Sequence, residues 1–117
     1  MGSHTLSHPV LSNLDAAELE RELRESKECI ERELGAACEV FAYPFGSMYD
    51  FSDRVVEAAR RAGFYLAFTL QDCRNDATLD AMRIHRICIN REHSLASFRA
   101  LISGLRNVPI FSPAINK

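Results

Sequence analysis

His4 and His8 are the side chains at the start of the sequence best suited to hold a metal. They stand four apart in "HTLSHP", with the hydroxyl residues Thr5 and Ser7 between them and Pro9 directly after. A neutral imidazole binds zinc or a similar divalent ion through one ring nitrogen. Two at this spacing can converge on one ion from a helical turn or a tight loop, and neighbouring hydroxyls can fix the ring orientation. The opening Met-Gly-Ser-His also reads as a vector-derived scar, in which case His4 alone carries little weight. Spacing leaves both readings open. The four cysteines, Cys29, Cys38, Cys73 and Cys88, form no CxxC pair. They read as free, mostly buried thiols, with two disulfides as the alternative.

The elements around these residues follow from periodicity and capping. Over 15–34, Leu19, Leu23, Ile30 and Leu34 recur at helical spacing, with Ser26 and Cys29 on or near the same stripe. Asp15 followed by Glu18 gives a capping-box start, and Gly35 gives a stop. The dense charge of this helix reads as a solvated face, with Glu20–Arg24 and Glu28–Arg32 as i,i+4 pairs. "EVFAYP", 39–44, is aromatic and β-branched and reads as a buried strand. "FGSMYD" turns the chain, Asp50 or Ser52 caps a helix over 53–62, and Gly63 ends it. "FYLAFTL", 64–70, is a second buried strand, "QDCRNDATLDA" a polar loop, and "RIHRICIN", 83–90, a third strand. Ser94 caps a last helix over 95–105, and the segment 107–117 is a tail with two prolines. Apolar strands separated by helices imply an α/β fold with a parallel sheet covered by helices.

The chain has 117 residues, 47% hydrophobic and 26% charged, with a net charge of -2. That length suits one small domain. The charge argues against a nucleic-acid partner or a polybasic membrane patch. No apolar run approaches the roughly 18 residues of a membrane span, and the first residues do not read as a signal peptide. Localisation is left open.

Two motifs together resemble the polysaccharide deacetylase family, the family-four carbohydrate esterases with the NodB-homology domain. His4-Thr5-Leu6-Ser7-His8-Pro9 is similar to that family's metal-binding motif. "FAYPFGS" is similar to its next motif, with Pro44, Phe45 and Gly46 at the matching positions. The helix between them and "AARRAGFYLAFT" after them also look like this family, so the resemblance covers about residues 2–106.

The resemblance implies a metal-dependent removal of N- or O-acetyl groups from an acetylated polysaccharide or oligosaccharide. It implies His4 and His8 as ligands of a divalent ion, zinc first, and Thr5 as support for their loop. Tyr43, Pro44, Phe45 and Gly46 would form one wall of the acetyl pocket, with the Phe45 N–H as oxyanion donor. Read without the resemblance, Tyr43–Gly46 is a plain turn at a strand end. In the family, one Asp completes the metal site and a second Asp serves as general base, from an Asp-Asp motif that precedes the His motif. No Asp-Asp pair occurs in this chain, and Ala42 stands where many members carry an Arg. His85 is the nearest match to a late catalytic His, and otherwise reads as a strand residue.

The expectation is therefore a partial (β/α) barrel of the deacetylase type over 1–106, lacking the N-terminal strands, with about four strands in chain order. Its metal would be weakly bound or absent, and the chain alone would be a poor enzyme. The competing expectations are a catalytically inactive carbohydrate-binding or assembly module on the same scaffold, and an α/β interaction domain whose His pair is incidental. A sheet with open edges further predicts a homo-oligomer.

Overall fold

The computed structural model describes residues 1–104, which fall into two units, 1–86 and 87 onward. In the first unit, α1 spans Ala16–Leu34. Asp15 accepts from the Glu18 N–H at 2.8 Å, and the Glu18 carboxylate reaches back to the Asp15 N–H at 3.4 Å, so the capping box forms in both directions. Gly35 ends the helix in the left-handed conformation, φ 63°, where a side chain would be strained. Leu19 and Leu23 bury the inner face of α1.

Strand β1 is Val40–Ala42, helix α2 is Asp53–Arg61, and strand β2 is Leu66–Phe68. The two strands pair in parallel, Phe41 opposite Ala67. A parallel pair needs a crossover connection, and α2 lies within it. Single parallel bridges extend this pair on both sides, Ser3 to Phe41 and Ile84 to Phe68. Four segments thus lie side by side in chain order, all in one direction. The core between sheet and helices holds Leu11, Leu19, Leu23, Phe41, Tyr43, Phe51, Val55, Val56, Phe64, Ala67 and Met82. Tyr43 stacks on Phe51 at 4.3 Å, and Phe41 meets Phe64 at 5.0 Å.

The structure corrects three expectations of the sequence. Among the described residues only two of the four segments are strands, each of three residues, because each outer neighbour contributes a single bridge. The segment 83–90 is not a strand. Asp80 caps a 3-10 turn over Ala81–Arg83, and the Asn75 side-chain amide takes both the N–H and the carbonyl of His85. The pairing with β2 stops there because the groups that would continue it go to side chains: the Thr69 carbonyl accepts from Arg86 Nε at 3.0 Å, and the Gln71 N–H donates to the Thr69 hydroxyl at 3.2 Å. All four cysteines are free, but only Cys38 is buried; Cys29 is half-buried and Cys73 and Cys88 are exposed.

The second unit carries α3, Leu95–Ile102, whose Ser94 cap accepts from the Ser97 N–H at 3.1 Å. The segment 107–117 lies outside the described residues.

Candidate functional site

The four parallel segments all run out toward one side, and the residues that follow them are the candidates: His4 after Ser3, Tyr43–Gly46 after β1, Thr69 and Leu70 after β2, His85 after Ile84. Sites of open α/β sheets gather beyond the carboxyl ends of the strands. Three connections tie these loops together. His4 Nδ1 lies 2.7 Å from the Ala42 carbonyl, the Leu70 N–H donates to the Gly46 carbonyl at 2.8 Å, and the Thr69 hydroxyl lies 3.2 Å from His85 Nδ1.

The His4 and His8 rings meet edge to face with centroids 4.7 Å apart, and His8 meets the Phe45 ring in the same way at 4.8 Å. Both histidines are exposed. Because the Ala42 carbonyl can only accept, His4 Nδ1 must carry the proton, which leaves Nε2 with its lone pair for a metal. The ring spacing lets two imidazoles share an ion held by bonds of about 2.0–2.1 Å. The pair supplies two nitrogen donors. Among the described residues no group of three His, Cys, Asp or Glu is placed to hold a metal.

The loop that carries the pair is tightly specified. The Thr5 hydroxyl donates to the His4 carbonyl at 2.5 Å and accepts from the His8 N–H at 3.0 Å, joining the two histidines through their backbones. Thr5 has φ 68°, His8 60° and Phe45 61°, the three non-glycine residues with left-handed backbone among those described. Such strain persists only where surroundings over-determine it, and it concentrates at functional sites.

The turn after β1 is held from below. Tyr43 is fully buried, its hydroxyl donating to the Met82 carbonyl at 2.9 Å. Burial pushes its phenol well above the ordinary value. The Tyr43 ring therefore belongs to the core and supports the turn from behind; it does not line a surface wall. Pro44 is likewise buried, whereas Phe45 is 52% exposed. Its N–H makes no hydrogen bond among the described residues. Gly46 has φ 72°, and a Cβ there would sit 2.6 Å from the Leu70 nitrogen, so no side chain fits where the two loops join.

His85 is half-buried and engaged by Thr69 and Asn75. No hydrogen bond or ring contact among the described residues joins it to His4, His8 or Phe45. A cleft of 310 Å³ between α1 and α2, lined in part by Leu19, Arg24, Arg54 and Arg61, contains none of the candidate residues.

Glu22 is the residue in contact with the candidate loop that the charge pattern of α1 concealed. It is 3% exposed rather than solvated. Its carboxylate accepts from the Leu6 N–H at 2.8 Å, the Ser7 N–H at 2.9 Å and the Ser7 hydroxyl at 2.5 Å. Burial alone would raise its pKa. The Ser7 hydroxyl and the two N–H groups outweigh that and hold the carboxyl below its ordinary value. The signal was its register: Glu22 sits between Leu19, Leu23 and Ser26, on the stripe that faces inward.

The sequence profile of the polysaccharide deacetylases matches residues 1–67, more than half of the chain. No curated protein matches significantly. A polysaccharide deacetylase from Bacillus cereus superposes with a TM-score of 0.73 at 26% identity, over 86% of this chain and 31% of its own. A Streptococcus pyogenes deacetylase solved with acetate gives 0.75 at 23% identity, over 86% of this chain and 43% of its own. A de-N-acetylase from Aggregatibacter actinomycetemcomitans gives 0.61 at 21% identity, over 73% of this chain and 31% of its own. The chain thus spans less than half the length of these solved structures. With both motifs brought together in three dimensions and the profile running through them, the chain belongs to the polysaccharide deacetylase family.

Proposed function

We propose that the chain is a partial (β/α) barrel that supplies the histidine side of a divalent-metal site for deacetylation of an acetylated polysaccharide or amino sugar. The observation that carries this is the meeting of the His4, His8 and Phe45 rings beyond the strand ends, with Thr5, His8 and Phe45 on strained backbone. His4 and His8 hold the ion, zinc first, through ring nitrogens. When bound, such an ion polarises an acetyl carbonyl and lowers the pKa of a water. Thr5 keeps the two histidines at fixed separation. The unpaired Phe45 N–H is the donor for the oxyanion that forms when the carbonyl is attacked. The exposed Phe45 ring gives the apolar face against which a sugar or acetyl methyl packs.

No described residue takes the part of third ligand or general base, and His85 stands apart from the pair. Two protein ligands are one short of the usual catalytic set, and loss of a general base alone costs about 10²–10⁴-fold. The chain by itself is therefore a weak metal binder and a poor enzyme. Acetate release from an acetylated chitooligosaccharide with added zinc should not rise above that of a His8→Ala variant. Robust metal-dependent release would overturn this view of the missing groups. The shortage of donors also favours a second reading, an inactive carbohydrate-binding module. Under it, the oligosaccharide binds equally well with metal chelated.

A further inference from the structure

We propose that Glu22 is a positioning residue that holds the His4–His8 loop in the shape that lets both imidazoles reach one ion. The proposal rests on the metal reading above and extends it to a residue that touches neither ring. Glu22 is the one carboxylate or cation among the buried residues described. A buried carboxylate is unfavourable unless its oxygens are satisfied. Here both are, and all three donors come from Leu6 and Ser7, inside the span between the histidines. One turn further along α1, Ser26 Oγ lies 2.7 Å from the buried Ser3 Oγ. The inward polar stripe of α1 thus grips the segment just before His4 and again at its midpoint. Between those grips, Thr5 is left-handed; beyond them so is His8, and its N–H is bound to the Thr5 hydroxyl. Without the carboxylate, the Leu6 and Ser7 N–H groups lose their acceptor, and the Thr5 hydroxyl bridge is left to hold the loop alone.

The two substitutions Glu22→Ala and Glu22→Gln separate positioning from bulk stability. A Gln oxygen can accept from both N–H groups, and its amide can donate to a rotated Ser7 hydroxyl, so Gln preserves the grip while Ala abolishes it. Zinc titration by calorimetry, with His8→Ala as the no-site control, should show Glu22→Ala weakened by about 10–100-fold, as for other groups that orient ligands. Glu22→Gln should retain most of the affinity. Amide exchange without metal should show Leu6 and Ser7 protected in wild type and Glu22→Gln, and unprotected in Glu22→Ala. Should Glu22→Ala fail to fold, Ser7→Ala removes one of the three bonds at an exposed residue and should weaken zinc to a lesser extent. Wild-type affinity and protected amides in Glu22→Ala, or wild-type affinity in Ser7→Ala where that variant stands in, would overturn the proposal. If wild type binds no zinc while Glu22→Ala still loses the protection, the metal reading fails and the loop-holding part is supported.

Discussion

Thr5, His8 and Phe45 each hold a backbone conformation that costs an L-residue roughly 1–2 kcal/mol. At Thr5 and His8 that strain is offset locally, by the Thr5 hydroxyl bridge and by the Glu22 carboxylate. Two predictions belong at this scale. Gly46→Ala should destabilise the chain by about 1–3 kcal/mol in urea unfolding, because its Cβ would meet the Leu70 nitrogen at 2.6 Å and its φ is 72°. Wild-type stability in that variant would mean that the two loops part easily. Glu22 also gives a pH dependence. Its folded pKa lies below the ordinary 4.5, so its contribution is fully present above that value and is lost as pH falls through the lowered one. The stability advantage of wild type over Glu22→Gln should therefore be constant above pH 4.5 and shrink on further acidification. An advantage independent of pH would show that the carboxylate charge does not matter. The histidines and the Phe45 turn were legible as motifs, since their residue types and order are written in the chain. Glu22 was not, because an acidic residue in a charged helix reads as solvated until its partners are known.

Helix α1 is the element that sequence described best, since its capping box, apolar stripe and terminal Gly35 are all local signals. Asp15→Ala should cost about 1 kcal/mol in thermal or urea unfolding. A neutral result would mean that packing of Leu19 and Leu23 alone sets where the helix begins. The strands were harder to read. The apolar runs at 39–44 and 64–70 locate Phe41, Tyr43, Phe64 and Ala67 in the core, but Tyr65, Leu66 and Leu70 are exposed, and only three residues of each run pair. The segment 83–90 alternates like a strand, yet the Arg86 side chain takes the Thr69 carbonyl and the Thr69 hydroxyl takes the Gln71 N–H, the groups that would extend the ladder, and such side-chain bonds leave no periodic trace. Tyr43 shows the same limit: its place in the motif pointed to a pocket, while its hydroxyl is spent on Met82. Tyr43→Phe should cost about 1–2 kcal/mol by leaving that buried carbonyl unpaired, with zinc affinity unchanged. A loss of zinc affinity at unchanged stability would place Tyr43 in the site after all.

At the scale of the whole molecule, parallel order and α/β class were legible because apolar strand and amphipathic helix alternate along the chain. The number of strands was not, since single bridges such as Ser3 to Phe41 depend on partners distant in sequence. Open sheet edges invite pairing, and Tyr65, Leu66, Leu70, Met48 and Tyr49 leave apolar surface exposed. A homodimer or higher oligomer is therefore expected by light scattering at micromolar concentration, and a clean monomer that binds little hydrophobic dye would contradict it. No described helix is long and apolar enough to cross a membrane. The central claim is that His4 and His8 together hold a divalent ion. Zinc titration of the wild-type chain against His4→Ala and His8→Ala, with the thiols blocked, tests it most directly. Weak saturable binding is expected in wild type and should be abolished by either substitution; no binding at all, or binding that survives both substitutions, would rule out a shared ion at this pair.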